Sequence, residues 1–161
     1  MNVVTTELAR FAEEELGVTS AEAMVAMHGG QLGPVVADVA AASGVDSPTL
    51  LRRFGRRLFH RFAAVYPAFV GAASSFELLH ELGPRIHGGL KDLYPEAAFP
   101  ELECTDRGPG ELVVTYRSER GLADLAEGLL TGCVEYFGED TNVERESSSS
   151  AAAVRFVLRR R

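Results

Sequence analysis

The sequence predicts an α+β fold: N-terminal helices followed by an antiparallel sheet of about four strands. Three observations predict it. Apolar residues recur at spacings of three and four from Leu8 to Val65, the period of helices with one buried face. Beyond Pro100 the period changes to alternation, in Glu101–Cys104 and again in Glu111–Tyr116. The implied order, several helices, two strands, a helix and two more strands, groups like elements together, as α+β folds do.

The composition sets the frame. A chain of 161 residues suits one domain, residues 1–161, with a real core. The formal charge of -7 argues against nucleic acid, which calls for a basic stripe. No apolar run approaches membrane-spanning length, and no basic segment with an apolar core opens the chain. A cytoplasmic protein is therefore expected. Cys104 and Cys133 form no CxxC and read as reduced, partly buried thiols.

Element by element, Thr5 or Thr6 can cap a first helix with Leu8, Phe11, Ala12 and Leu16 as its stripe, stopped at Gly17. Ser20 and Ala21 open a second helix that ends near His28-Gly29-Gly30. Gln31–Pro34 reads as a break, and Val35, Val36, Val39 and Ala40 start a third helix closed at Ser43-Gly44. Asp46-Ser47-Pro48 is a strong start signal for a fourth, with Leu50, Leu51, Phe54, Leu58, Phe62 and Val65 on one face. Arg52, Arg53, Arg56, Arg57 and His60 fall on the other side; this patch could grip an anion, but a solvated face is the commoner outcome. Glu13-Glu14-Glu15 likewise reads as a solvated face.

Tyr66-Pro67 ends the fourth helix. Ser74-Ser75-Phe76-Glu77 reads as a capping box for a fifth, which Gly83-Pro84 should kink or restart. Arg107-Gly108-Pro109-Gly110 is the turn between the first two strands. Leu122, Leu125, Ala126, Leu129, Leu130 and Cys133 make a further helix, ended by Gly138. Asn142–Glu146 and Ala152–Arg159 form a closing hairpin around the low-complexity stretch Ser147–Ala153.

Two stretches carry candidate chemistry. His87 lies between Ile86 and Leu90 on an apolar face and is followed by Gly88-Gly89. Histidine is the commonest protein ligand for haem iron, through a neutral imidazole nitrogen, although a lone histidine of this kind is more often no ligand at all. The glycines fit either close approach of a large ring to the backbone or a simple turn. In the second stretch, YRSER, alternation turns Tyr116, Ser118 and Arg120 to one side and Arg117 and Glu119 to the other. Two hydroxyls and a guanidinium fork suit a pair of carboxylates, although a strand end with surface polar groups looks the same locally. No nucleophile–base pair, phosphate loop or paired carboxylate set points to an enzyme.

Taken together, His87 in IHGGLKDLYP, Pro100 in AAFPEL and the Tyr-x-Ser-x-Arg motif, in this order, resemble the haem nitric oxide/oxygen-binding (H-NOX) domain family. RRFGRRLFHRFAAVYPAF and RGLADLAEGLLTGCVEYFGE are similar to that family too. The resemblance implies a haem pocket between the helical and mixed parts of the fold. It implies haem b with His87 as iron ligand, Tyr116, Ser118 and Arg120 on the propionates, and Pro100, Ile86 and Leu90 against the ring. Residues 1–43 would be a shortened distal helical part and residues 44–161 the proximal helix and sheet part. The implied function is sensing of nitric oxide, with carbon monoxide also bound. Detachment and movement of the histidine would be passed to a separate partner such as a histidine kinase or cyclic-nucleotide enzyme. Oxygen-binding members carry a tyrosine nine residues after the motif tyrosine; here that position is Leu125, which cannot donate a hydrogen bond. The competing expectation is a haem-free or weakly haem-binding scaffold of the same fold that holds a partner or another apolar ligand.

Overall fold

The structure, a computed structural model, describes residues 3–65, 67–85, 101–117, 122–146 and 153–161. Helices α1 (Val3–Leu16), α2 (Ala21–Met27), α3 (Leu32–Ser43) and α4 (Ser47–Val65) come first, then a 3-10 turn at Pro67–Val70 and α5 (Ser75–Arg85). Strands β1 (Glu101–Asp106) and β2 (Glu111–Arg117) follow, then α6 (Ala123–Tyr136), β3 (Thr141–Glu146) and β4 (Ala153–Arg160). The fold is α+β, as the periodicities predict.

Local chemistry explains most of the helix ends. Asp46 caps α4: the Thr49 amide and hydroxyl both donate to its carboxylate and hold it below the usual aspartate range. Ser74 Oγ accepts from the Glu77 N–H at 3.2 Å, while the Glu77 carboxylate reaches back to the Ala73 N–H at 3.1 Å. That is the expected capping box, its return bond shifted by one residue. Gly44 closes α3 and Gly138 follows α6, both at positive φ, where a side chain would be strained.

Three expectations need correction. Neither Thr5 nor Thr6 caps α1, which already runs from Val3; Thr5 is fully buried inside it. The break at Gln31–Pro34 is narrower than expected, because α3 starts at Leu32 with Gln31 as its N-cap. Pro34 falls in the first turn, where a helix has no use for the missing N–H. Helix α5 also runs through Gly83-Pro84 to Arg85, so no restart separates those residues. The Ser147–Ala153 stretch lies outside the described residues except for Ala153, the first residue of β4.

The sheet is antiparallel throughout, in the order β1-β2-β4-β3. Its inner face pairs Leu112 with Leu158, Val114 with Phe156 and Tyr116 with Val154 across β2 and β4. These side chains pack on Phe76, Leu78 and Leu79 of α5 and on Ala126, Leu130, Cys133 and Val134 of α6. A second, wholly helical cluster joins Leu8, Phe11 and Ala12 of α1, Val25 of α2, Val35 and Val39 of α3, and Leu50, Phe54 and Leu58 of α4. Helices α4 and α6 contribute to both clusters, and Leu129 packs against both.

Helices α4 and α6 touch backbone to backbone. A Cβ on Gly55 would strike the Leu125 carbonyl, one on Gly128 the Arg52 carbonyl, and one on Gly132 would lie 2.7 Å from the Arg56 carbonyl. The arginines of α4 straddle this seam. Arg52 and Arg56 pair with Asp124 and Glu135 of α6, whereas Arg57 pairs with Glu14 and Glu15, and Arg61 with Glu7, all of α1. Arg52, Arg56 and Arg57 of the patch thus meet acids from two other helices, Glu14 and Glu15 among them, while Arg53, Arg56 and His60 stay exposed, as a solvated face requires.

Candidate functional site

Of the residues the sequence singles out, Tyr116 and Leu125 lie among the described ones. His87, Ile86, Leu90 and Pro100 lie outside them, as do Ser118 and Arg120. What the structure supplies is the frame on which both stretches hang.

Tyr116 is carried on β2, whose alternation sends Leu112, Val114 and Tyr116 to the buried face. Its ring is 6% exposed and belongs to the cluster between the sheet and helices α5 and α6. Arg117 points the other way, where its guanidinium bonds Glu103 across the β1–β2 pair at 3.2 Å. This is the division of faces that alternation predicts for the start of the motif. Leu125, nine residues on, sits on the first turn of α6, is 8% exposed, and joins the helical cluster with Leu50, Phe54 and Leu58. The chain thus passes from one apolar cluster to the other between the motif tyrosine and the leucine.

The register at one end of the sheet is the informative geometry. Glu101 lies opposite Arg117, and Arg117 lies opposite Ala153. Glu101 is the residue directly after Pro100, and Arg117 the residue directly before Ser118. The chain arriving from the histidine stretch therefore enters the sheet beside the point where the chain leaves for the rest of the polar motif. At the other end of the histidine stretch, α5 is described as far as Arg85, two residues before His87. Leu79 of that helix accepts from the Cys104 thiol through its carbonyl at 3.4 Å, and His80 meets Asp106 at 3.0 Å, which binds α5 along β1.

Tyr116 adds a phenol to a sheet face whose centre is apolar and whose rim carries Asp106 and Arg145, the kind of donor that would suit a group with an acidic edge. The thiols add no competing chemistry. Burial pushes Cys104 up to about 11, helped by the nearby Asp106 and Glu103 carboxylates, and burial pushes Cys133 up to about 12, helped by Glu139. Both are free.

Reasoning from the sequence misses two features. The glycine seam was open to inspection as Gly55 in a long amphipathic helix and as the Gly128-x-x-x-Gly132 spacing. The bond between Ser75 and Glu139, 64 residues apart, leaves no local signal.

Comparison with known proteins gives a family. The family model described as Haem-NO-binding matches residues 24–145. No curated protein matches the chain. Among solved structures, the H-NOX protein of S. oneidensis in the Fe(II)NO state superposes with a TM-score of 0.87 at 19% identity, over 100% of this chain and 99% of that one. The unliganded Fe(II) H-NOX protein of K. algicida gives 0.83 at 18% identity, over 99% and 95%. The H-NOX of Shewanella woodyi, in its IWP-051-bound Fe(II)CO state, gives 0.79 at 29% identity, over 100% and 94%.

Proposed function

The chain belongs to the haem-NO-binding (H-NOX) family, whose members are haem-based gas sensors, and from that premise we propose that it senses nitric oxide through a His87-ligated ferrous haem b. Haem, when bound, would supply a ferrous iron that takes up a diatomic gas. His87 would hold the iron through a neutral imidazole nitrogen. Tyr116, Ser118 and Arg120 would hold the propionates, two hydroxyls and a bidentate guanidinium matching two carboxylates. Pro100, Ile86 and Leu90 would press on the apolar ring. Leu125 offers no donor to bound dioxygen, which carries partial negative charge, so the protein takes nitric oxide and carbon monoxide in preference. The output is displacement of the His87 segment, read by a separate cytoplasmic partner such as a histidine kinase or cyclic-nucleotide enzyme that distinguishes the two states. The chain itself senses and does not catalyse.

One observation carries this reading. The matched residues, 24–145, contain both the histidine and the Tyr-x-Ser-x-Arg motif, on the two chain segments whose ends meet where Glu101 pairs with Arg117. Absorption spectra of protein from haem-supplied cells test it. A Soret band that shifts on reduction, on nitric oxide and on carbon monoxide, with no lasting oxygen complex in air, is the expected outcome. Protein that purifies colourless and takes up no added haem would instead be the haem-free scaffold.

A further inference from the structure

The inference concerns the helix that leads to the iron ligand, and it rests on His87 being that ligand. Helix α5 is held at its N-terminus by a residue far away in sequence. Ser75 donates twice to Glu139: its N–H to Oε2 at 2.8 Å and its hydroxyl to Oε1 at 3.0 Å. Ser75 is fully buried, and the Glu139 side chain is 17% exposed. Arg160 completes the clasp, with Nε 3.5 Å from Oε1 and its guanidinium 4.1 Å from the centre of the Phe76 ring.

A helix N-terminus has unsatisfied N–H groups and a positive dipole end. A carboxylate that takes two donors there makes a charge-assisted, directional bond rather than a loose contact. Glu139 lies three residues beyond the end of α6, past the glycine seam that fixes α6 on α4. The clasp therefore ties α5 to the helix pair that touches backbone to backbone. From Ser75 the helix runs without a break to Arg85, about 15 Å at 1.5 Å per residue. His87 follows two residues later.

We propose that Glu139 is a positioning residue for His87: by clamping Ser75 it anchors the N-terminus of α5, the helix that precedes His87, and would set how firmly the imidazole holds the iron.

Glu139→Gln and the milder Ser75→Ala test this in the haem-loaded full chain, with Asp106→Asn as control. That control removes the charge from the exposed His80–Asp106 contact, whose histidine lies in the middle of the same helix. Glu139→Gln should lower the iron–histidine stretching frequency in resonance Raman spectra and raise the five-coordinate fraction of the nitric oxide complex. Ser75→Ala should do both more weakly, and Asp106→Asn neither. In haem-free protein, α5 amides of Glu139→Gln should exchange about tenfold faster or more, the size expected for losing a charged hydrogen bond. Reduced urea stability with wild-type Raman and nitric oxide spectra would overturn the proposal and leave a structural clamp. Equal spectral shifts in Asp106→Asn would overturn it too. Failure of the underlying reading looks different, because the wild type would then hold no haem, or His87→Gly would hold it unchanged.

Discussion

Tyr116 and Leu125 are both buried, but in different apolar clusters. Alternation along β2 turns Tyr116 inward and Arg117 outward, as the sequence pattern predicts. Leu125 was identified by its distance from the motif tyrosine; the structure adds that it is buried in the helical cluster, not in the cluster that holds Tyr116. A donor placed there should change gas selectivity. In Leu125→Tyr, ferrous protein should gain about 10- to 100-fold in oxygen affinity, the worth of one hydrogen bond to a charged acceptor. The larger ring should cost roughly 1–3 kcal/mol of stability through overpacking. An oxygen titration and a urea melt measure the two effects. The thiols give a second prediction. Cys104 and Cys133 keep their protons to about 11 and about 12 in the folded chain, while unfolded thiols release them near their ordinary value of 9.0. Folded pKa values above unfolded ones give stability that is full below pH 9 and lost as pH rises through 11 to 12. The urea midpoint should therefore fall over that range, and alkylation near pH 7.5 should label neither cysteine until the protein unfolds.

Helices and strands were legible because their signals are local: periodicity, the Asp46 cap, the Ser74–Glu77 box and the turn at Arg107–Gly110. The misses have a shared cause. Thr5 looks like a cap by residue type, but the cap assignment fails because the helix buries that residue and starts before it. The acid partners of the α4 arginines leave no local signal because those carboxylates are 42 to 79 residues away. These pairs are half-exposed, so each should contribute little: Arg57→Ala should cost no more than about 1 kcal/mol. The seam between α4 and α6 is different. Alanine normally favours a helix over glycine by about 1 kcal/mol. At Gly55 and Gly128 the added methyl meets a backbone carbonyl that has nowhere to go. Gly128→Ala should therefore destabilise by about 1–3 kcal/mol or more, read from urea unfolding at unchanged slope, despite its better propensity. Stabilisation by that substitution would mean that the helices are not in backbone contact.

At the scale of the whole molecule, two apolar clusters share α4 and α6, and the clasp sits at the end of the sheet where Thr141 pairs with Arg160, opposite the Glu101–Arg117 end that the histidine stretch enters. The sequence pattern revealed the class of fold and the identity of the candidate residues. It could not reveal the pairing of Glu101 with Arg117, which depends on strand register across an intervening turn, nor the Glu139 bond to α5. If haem binds the folded chain alone, loading should raise stability by mass action: about 2.7 kcal/mol at a hundredfold excess over Kd, or roughly 5–10 °C in Tm. Equal melting of haem-free and haem-supplied protein would count against a bound cofactor. The most direct measurement is the absorption spectrum of His87→Gly beside the wild type, both purified from haem-supplied cells with and without imidazole. A Soret band in the wild type, absent from the variant and restored to it by imidazole, is expected from iron ligation at position 87. An undiminished band in the variant without imidazole would contradict it.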